Sequence, residues 1–504
     1  MDGNEIELKL AIDAQALNRV KRLPLLRQHR NGRTKVKELR SVYYDTADLR
    51  LAEAGITVRL RLDGGKPLQT VKTAGSRASG LFSRREWECP LPGEALDTAQ
   101  LRATGLALLD DDAVLSALRP VFNTDIRRSV HDLAGDGWAV EMAIDVGEVR
   151  AGDKRQPISE IELELRQGSP RDLFALARTI AEAVPVRLLA LSKSDRGYDL
   201  AADRGPAAVK ARPAVLDDDH SVADAFRSIA RNCLHHLLAN QQALLENGDG
   251  EAVHQMRVAL RRLRSALKIF RPLVDGPPLT PLREEMRWLL SQLGPARDSE
   301  VFLDEIVAPV VQRHAEQAGM AALHQHWSRH CADDLAAACV AVADSRFALL
   351  VLDLGAWVEA GPWSEAEIGA RKLAPFARKV LKRLAAKLRK AGGKSLRPLS
   401  PPALHHVRIL GKQLRYAAEF FAPLYGKAAT RETLSRLGRL QDCLGEINDI
   451  AVAGPRLAAC HHLGETAWAA GLVAGWHEAR RPALMAEADT LWADWRKRDH
   501  FWDD

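Results

Sequence analysis

The sequence predicts an α+β chain of several domains. Its first part is β-rich and folds as an antiparallel barrel or strongly curved sheet with a few flanking helices. Its second part is all-α and is built from two pseudo-repeated helical bundles. Three observations predict this. Apolar residues recur mostly with period two up to about residue 200 and with helical spacing from there on. A Pro-, Gly- and Ala-rich stretch without periodicity, residues 203–213, lies between the two patterns. Within the helical part, residues 253–273 recur as residues 404–424.

A chain of 504 residues exceeds what one core supports, and 46% hydrophobic residues exclude global disorder. The expected division is a tunnel-like β domain over 1–202, a linker over 203–217 and a helical domain over 218–504. The start, Met1-Asp2-Gly3-Asn4-Glu5, has no basic region followed by an apolar run, and the aliphatic stretches fall short of a membrane span. Neither a signal peptide nor a transmembrane helix is expected. Cys89, Cys233, Cys331, Cys339, Cys443 and Cys460 are scattered without zinc or redox spacing, which suits a reducing, cytoplasmic setting.

The first expected strand is Glu5-Ile6-Glu7-Leu8-Lys9-Leu10. Alternation puts Glu5, Glu7 and Lys9 on one face and Ile6, Leu8 and Leu10 on the other. On its own, this hexamer also reads as a solvated edge strand. Further strands are expected at 41–45, 57–62, 68–72, 82–89, 138–146 and 158–165, with helical patches near 13–29, 97–118 and 170–183. Several of the strands repeat the charged face. Arg59 and Arg61 share one; Glu86 lies between Arg84 and Glu88; Glu141 and Asp145 are separated by Ala143; Glu160, Glu162 and Glu164 alternate with aliphatics. Lys72 and Lys193 sit in or beside apolar stretches.

So many charged faces cannot all be edges. If the sheet closes, they point inward, and unpaired buried charge is strongly unfavourable. Divalent cations neutralise carboxylates, and phosphates neutralise Lys and Arg; Mg²⁺ and Mn²⁺ prefer oxygen ligands shared with substrate phosphate. The residues therefore point to a metal-dependent site for a polyphosphorylated substrate.

In the helical part, His254, Arg257, Arg261 and Arg264 match His405, Arg408, Lys412 and Arg415 at one constant offset, and each set falls on one helix face. Met256, Leu260, Leu263, Leu267 and Phe270 form the adjoining buried stripe. Gln413 replaces Arg262 and Asn448 replaces Arg297, so the two copies are expected to bind an anion unequally. From Arg371 to Arg415 there are fourteen Lys or Arg and no Asp or Glu. A one-sign block beside two guanidinium stripes points to a polyanionic partner. The neighbouring pairs His235-His236 and His461-His462 point in different directions on a helix and read as structural.

The motifs Glu5-x-Glu7-x-Lys9, Tyr43-Tyr-Asp-Thr46, Arg59-x-Arg61, Thr70-Val-Lys72, Thr124-Asp-x-x-Arg128, Glu141 with Asp145-x-Gly147, Glu160-x-Glu162-x-Glu164 and Ser192-Lys193 together resemble the CYTH domain of the triphosphate tunnel metalloenzymes. The helical part resembles a CHAD domain, a conserved-histidine α-helical module associated with inorganic polyphosphate. The order is that of bacterial CYTH–CHAD inorganic triphosphatases, and the resemblance covers nearly the whole chain.

The resemblance implies an eight-stranded antiparallel tunnel that takes a triphosphate end and needs Mg²⁺ or Mn²⁺. By analogy, Lys9, Arg59, Arg61, Lys72, Arg84, Arg128 and Lys193 bind phosphate oxygens. Glu5, Glu7 and Glu162 hold one metal, and Asp145 and Glu164 position a second metal or the attacking water. Glu86, Glu141 and Glu160 orient the basic residues, with a metal also within reach of any of them. Arg84 rather than Arg85 is expected inside by parity with Glu86 and Glu88. The expected activity is hydrolysis of tripolyphosphate, with Glu5, Glu7, Lys9, Asp145 and Glu164 catalytic. Long-chain inorganic polyphosphate is expected on the helical stripes, with localisation at polyphosphate granules. No specific nucleic acid and no membrane are expected as partners. The rivals are adenylate cyclase, an organic triphosphatase acting on thiamine or nucleoside triphosphate, and a non-catalytic polyphosphate-targeting protein.

Overall fold

The alternation in the first strand closes a sheet. In the computed structural model, which describes residues 2–460 and 464–503, ten strands form: β1 (Asp2–Ile12), β2 (Lys35–Asp45), β3 (Ile56–Asp63), β4 (Lys66–Thr73), β5 (Ser76–Ala78), β6 (Leu81–Pro90), β7 (Arg119–Gly135), β8 (Trp138–Ala151), β9 (Lys154–Gln167) and β10 (Val186–Leu188). Eight of them close a barrel in the order β1-β9-β8-β7-β2-β3-β4-β6, with β6 pairing back onto β1. All the ladders are antiparallel, and β5 and β10 flank the ring. Closure removes the edges and turns one face of every strand inward.

Hairpins set the register. Between β3 and β4 the chain turns through Gly64 (φ +57°) and Gly65 (φ +83°), both left-handed, a pair that glycine adopts without steric cost. Aliphatic side chains go outward. Leu8 and Leu10 of β1 are fully buried there, under the helix Pro170–Ala183 that packs on β1 and β9 with Leu173, Phe174, Ala177 and Ile180. A capping box of Ser169 and Asp172 starts that helix.

The 17-residue strand β7 was not marked as a strand by the sequence patterns. Polar residues lie on both of its faces, Arg128 inside and the exposed Arg127 outside, and this hides its alternation.

Compactness divides the chain into two units. The first joins Met1–Ala208 to Leu238–Asn247 and Ala343–Gly361. It therefore includes the helix Ser345–Ala360, which packs on Pro170–Ala183 and β10. Gly355 makes this approach possible, because a Cβ there would lie 2.5 Å from the Phe174 ring and 2.8 Å from Ser79. Arg178 adds an ion pair to Asp353 at 2.7 Å.

The second unit holds Val209–Leu237, Gly248–Val342 and Pro362–Asp504. Its repeated segments form the helices Gly250–Ile269 and Pro401–Phe421, followed by Leu279–Val301 and Lys427–Ala458. Met256, Leu260, Leu263, Leu267 and Phe270 are buried, as their stripe requires. Among the described residues no single helix is long and apolar enough to cross a membrane. His236 is buried and hydrogen-bonds Gln255 and the Val209 carbonyl. His461 and His462 lie outside the described residues.

Candidate active site

The inward faces of β1, β3, β4, β6, β7, β8 and β9 meet around one cavity of about 330 Å³. Glu5, Glu7, Lys9, Arg59, Arg61, Lys72, Arg84, Glu86, Arg128, Glu141, Glu162, Glu164 and Lys193 line it. Arg85 lies over the Trp87 ring instead, and Arg127 faces Glu38 on the outside.

One end of the lumen is apolar. Continuing the inward rows of β2, β7, β8 and β9, Leu39, Tyr43, Phe122, Ile126, Val149 and Ile158 pack with Tyr198 of the helix Lys193–Ala201. Gly197 lets that helix sit on Phe122, since a Cβ would lie 2.1 Å from the ring. At the other end Lys35 and Arg166 are more than half exposed, so the lumen opens there.

Charge inside is paired in a layered network. Deepest are Asp145 and Glu160, at 0% and 1% exposure. Arg128 grips Asp145 with two bonds of 2.8 and 2.6 Å and also reaches Glu162. Lys193 contacts Asp145 at 2.7 Å, Glu162 at 2.9 Å and Glu160, and Arg196 holds the other Glu160 oxygen at 2.6 Å. Lys9 joins Glu162 to Glu7, the latter at 2.8 Å. Arg84 ties Glu7 at 2.6 Å to Glu5 at 3.0 Å, and Lys72 holds Glu5 at 2.8 Å and Glu86 at 2.9 Å. Burial alone would raise the Glu162 carboxyl, but Lys193, Lys9 and Arg128 override it and hold it well below the usual range.

Two places depart from this balance. Glu164 stands directly across from Glu7 on β1 and Glu141 on β8, and among the described residues its ion pair is to Arg166 at 2.6 Å. Burial, with the charges of Glu5 and Glu141, pushes its carboxyl up to about 7 against the pull of Arg166. On the opposite wall Arg61 makes no ion pair among the described residues; its contact is Ser41 Oγ at 3.4 Å. Burial, Arg59 and Arg128 bring it down to about 10. Arg59 bonds Thr70 at 3.0 Å and leaves its buried Nε without a partner. Glu141 and Glu164 thus share Arg166 on one wall, while Arg61 on the facing wall has no carboxylate partner among the described residues.

Of the carboxylates expected to hold metal, Asp145 and Glu162 come together with Glu160, their ligand oxygens within 4.8 Å of one another. For Glu160 the resemblance implies an orienting role with a metal also within reach. Lys193 now occupies that group, whereas Glu5, Glu7 and Glu164 form a second carboxylate row nearer the mouth. Both donor sets are hard oxygens and fit Mg²⁺ or Mn²⁺. The sequence reading gave no role to Tyr43, Lys35, Lys37, Arg166 or Arg196. The parity of β2 was enough to place Lys35 and Lys37 on the face of Tyr43.

In the second unit the two basic stripes converge. Arg261 of the first repeat acts on both Arg408 and Lys412 of the second. Burial, then Arg408 and Arg261, lower the Lys412 ammonium to about 7 against the pull of Asp449. Arg257 is buried beside Asp298 at 3.3 Å. The copies differ as their sequences do: Arg297 faces His254, whose imidazole is lowered to about 4 by burial and that charge, whereas Asn448 bonds His405 at 2.8 Å. Arg264 is exposed, and Arg415 is engaged by Glu419 at 2.9 Å.

Residues 3–198 match the CYTH domain family and residues 228–458 the CHAD domain family. An inorganic triphosphatase of Haemophilus influenzae is 36% identical over 198 residues, which are 38% of this chain and 54% of that protein, so the match spans about half of the relative's length. An uncharacterized protein of Mycobacterium tuberculosis is 25% identical over 470 residues, 87% of this chain and 86% of its own. The crystal structure of the CHAD domain from the plant Ricinus communis superposes with a TM-score of 0.52 at 32% identity, covering 59% of this chain and 99% of that one.

Proposed function

Since the chain is a CYTH domain followed by a CHAD domain, we propose that its tunnel is a metal-dependent inorganic triphosphatase that cleaves tripolyphosphate to pyrophosphate and phosphate. The observation that carries this reading is the division of the lumen: Arg59 and Arg61 lack full carboxylate compensation on one wall, and Glu141 and Glu164 share Arg166 on the other. The likeness to the Haemophilus inorganic triphosphatase supports it.

Arg59 and Arg61 bind the phosphate oxygens, and Lys9, Lys72, Arg84, Arg128 and Lys193 exchange carboxylate partners for phosphate as the chain enters. Glu5, Glu7 and Glu164 would hold one divalent cation, and Asp145, Glu160 and Glu162 a second. Bound Mg²⁺ or Mn²⁺ supplies charge screening and acidifies water. Glu164, directly across from Glu7 and Glu141, accepts the proton of the attacking water at its carboxylate oxygen. A new bond forms from that water to the terminal phosphorus, and the bond to the bridging oxygen breaks. Lys and Arg stabilise the negative charge that stays on the pyrophosphate.

An inorganic substrate suits the lining. Among the described residues Tyr43 is its one aromatic side chain, and its ring already stacks on Phe122 at 4.3 Å, so a nucleobase finds no open face. The test is phosphate release from tripolyphosphate with Mg²⁺ or Mn²⁺, against ATP and thiamine triphosphate, with cyclic AMP assayed in parallel. Release from tripolyphosphate supports the reading; cyclic AMP formation, or faster hydrolysis of the organic esters, replaces it with a rival.

The second unit is read as a polyphosphate-binding module, because Arg261, Arg408 and Lys412 gather cations in one place beyond what Asp449 balances. The full chain should bind long-chain polyphosphate more tightly than DNA of similar charge, and His254→Ala with His405→Ala should weaken it. Equal affinity for DNA would mean generic electrostatics.

A further inference from the structure

The cation wall continues past Arg61 toward solvent. Lys35 and Lys37 lie on the same face of β2 as Leu39, Ser41 and Tyr43, and both line the cavity. Lys37 stands directly across from Arg128 on β7, and Ser41 directly across from Arg61 on β3. Side-chain exposure climbs along this wall from 9% at Arg59 to 39% at Lys37 and 63% at Lys35. Asp63 holds Lys37 at 2.6 Å and Asp132 holds Lys35 at 3.2 Å. Each ammonium has three donors, so one such bond leaves two for a ligand. Lys37 and Arg128 are like charges directly opposite each other, each offset by carboxylates, Asp63 for Lys37 and Asp145 with Glu162 for Arg128.

We propose that Lys35 and Lys37 form an outer anion subsite at the tunnel mouth. It takes the phosphate beyond the third in a linear inorganic polyphosphate, so the preferred substrate class is a chain longer than tripolyphosphate. This rests on the tunnel being a triphosphatase. The terminal phosphates sit against Arg59, Arg61 and Arg128, and the continuing chain leaves along the lysines. A nucleoside triphosphate enters with the same three phosphates but brings a neutral ribose to this position, and the lysines gain nothing from it. The subsite thus separates an anionic tail from a neutral one.

The experiment compares kcat/KM of the full-length protein with Mg²⁺ on tripolyphosphate, tetrapolyphosphate and ATP, for wild type, the Lys35→Met/Lys37→Met double variant and the Lys35→Arg/Lys37→Arg control. A thermal melt checks that each variant is folded. Wild type should prefer tetrapolyphosphate over tripolyphosphate by about tenfold, the scale of one or two charge-assisted hydrogen bonds. The methionine variant should bring that ratio close to one, the arginine variant should keep it, and the ratio of ATP to tripolyphosphate should move much less. A proportional loss on all three substrates overturns the proposal, since it would mean long-range attraction only. An unchanged tetrapolyphosphate preference overturns it too. Hydrolysis of none of the three by wild type sinks the triphosphatase reading, and the subsite with it.

Discussion

Glu7 of β1 and Glu164 of β9 stand directly opposite each other in the ladder, and Glu141 of β8 flanks Glu164 on its other side. Carboxylates placed this way repel, and burial, with the charges of Glu5 and Glu141, raises the Glu164 carboxyl. A divalent cation relieves the repulsion. Mg²⁺ or Mn²⁺ should therefore raise the thermal midpoint in a concentration-dependent way. Glu164→Gln should raise the metal-free midpoint and shrink the metal-induced rise. Equal rises in both proteins would remove Glu164 from the metal-binding set.

Glu7→Gln should lower phosphate release from tripolyphosphate by at least the 10–100-fold typical of disturbing even an outer-shell partner of a metal. It removes a carboxylate oxygen and also a partner of Lys9 and Arg84. A variant with wild-type kcat/KM would take Glu7 out of the catalytic set.

Lys193→Met leaves Asp145, Glu160 and Glu162 short of a shared cation at almost no exposure. Removing one partner of a buried ion network costs about 3–5 kcal/mol, readable in urea unfolding. The three oxygens are close enough to share a divalent cation, so Mn²⁺ should recover more stability in this variant than in wild type. No destabilisation would mean that water already reaches the group.

Gly355→Val places methyl groups against Phe174 and Ser79 with no room for them. Overpacking of this kind costs about 1–3 kcal/mol, and the denaturant midpoint of the first unit should fall accordingly. An unchanged midpoint would mean that the helix Ser345–Ala360 shifts without penalty.

The Lys412 ammonium is lowered to about 7 in the fold from an ordinary value near 10.5. Its folded value is the depressed one, so the stability it contributes is present above about 10.5 and is lost as pH falls through about 7. An anion beside it raises the value again. Polyphosphate binding should therefore take up a proton and tighten as pH falls through 7, seen as a buffer-dependent binding enthalpy. The groups facing Lys412 are Arg408 and Arg415 on its own helix, Arg261 from Gly250–Ile269 and Asp449 from Lys427–Ala458. The helix Leu373–Gly392, also packed on Pro401–Phe421, buries apolar residues and glycine and keeps Arg378, Lys379, Lys382 and Arg383 exposed. Lys412→Met should abolish the uptake, and persistence of the uptake would assign the proton elsewhere.

The lumen itself was legible in the sequence because strand parity is strict. Glu5, Glu7 and Lys9 could only share a face, and the recurrence of charged faces on several strands, which cannot all be edges, turned that face inward. β7 was not legible, since polar residues on both of its sides erase the period. Nor was the place of residues 345–360: their helix is buried nearly all round, which a helical pattern states without saying against what. In the second unit the 151-residue offset gave both stripes, and the exchange of Arg297 for Asn448 already announced their inequality.

The sequence by itself determined which residues share the charged strand faces and which share the basic helix stripes, because periods of two and 3.6 are properties of the local backbone. Only the tertiary structure decided which of those charges meet. Closure of the barrel brings Lys193, from a helix far along the chain, between Asp145, Glu160 and Glu162 and leaves Glu164 with Glu7 and Glu141. Pairing is set by distances between strands that no single strand encodes. For that reason the residue types were readable in advance, while the sharing of Arg166 by Glu141 and Glu164, and an Arg61 without a carboxylate partner among the described residues, were not.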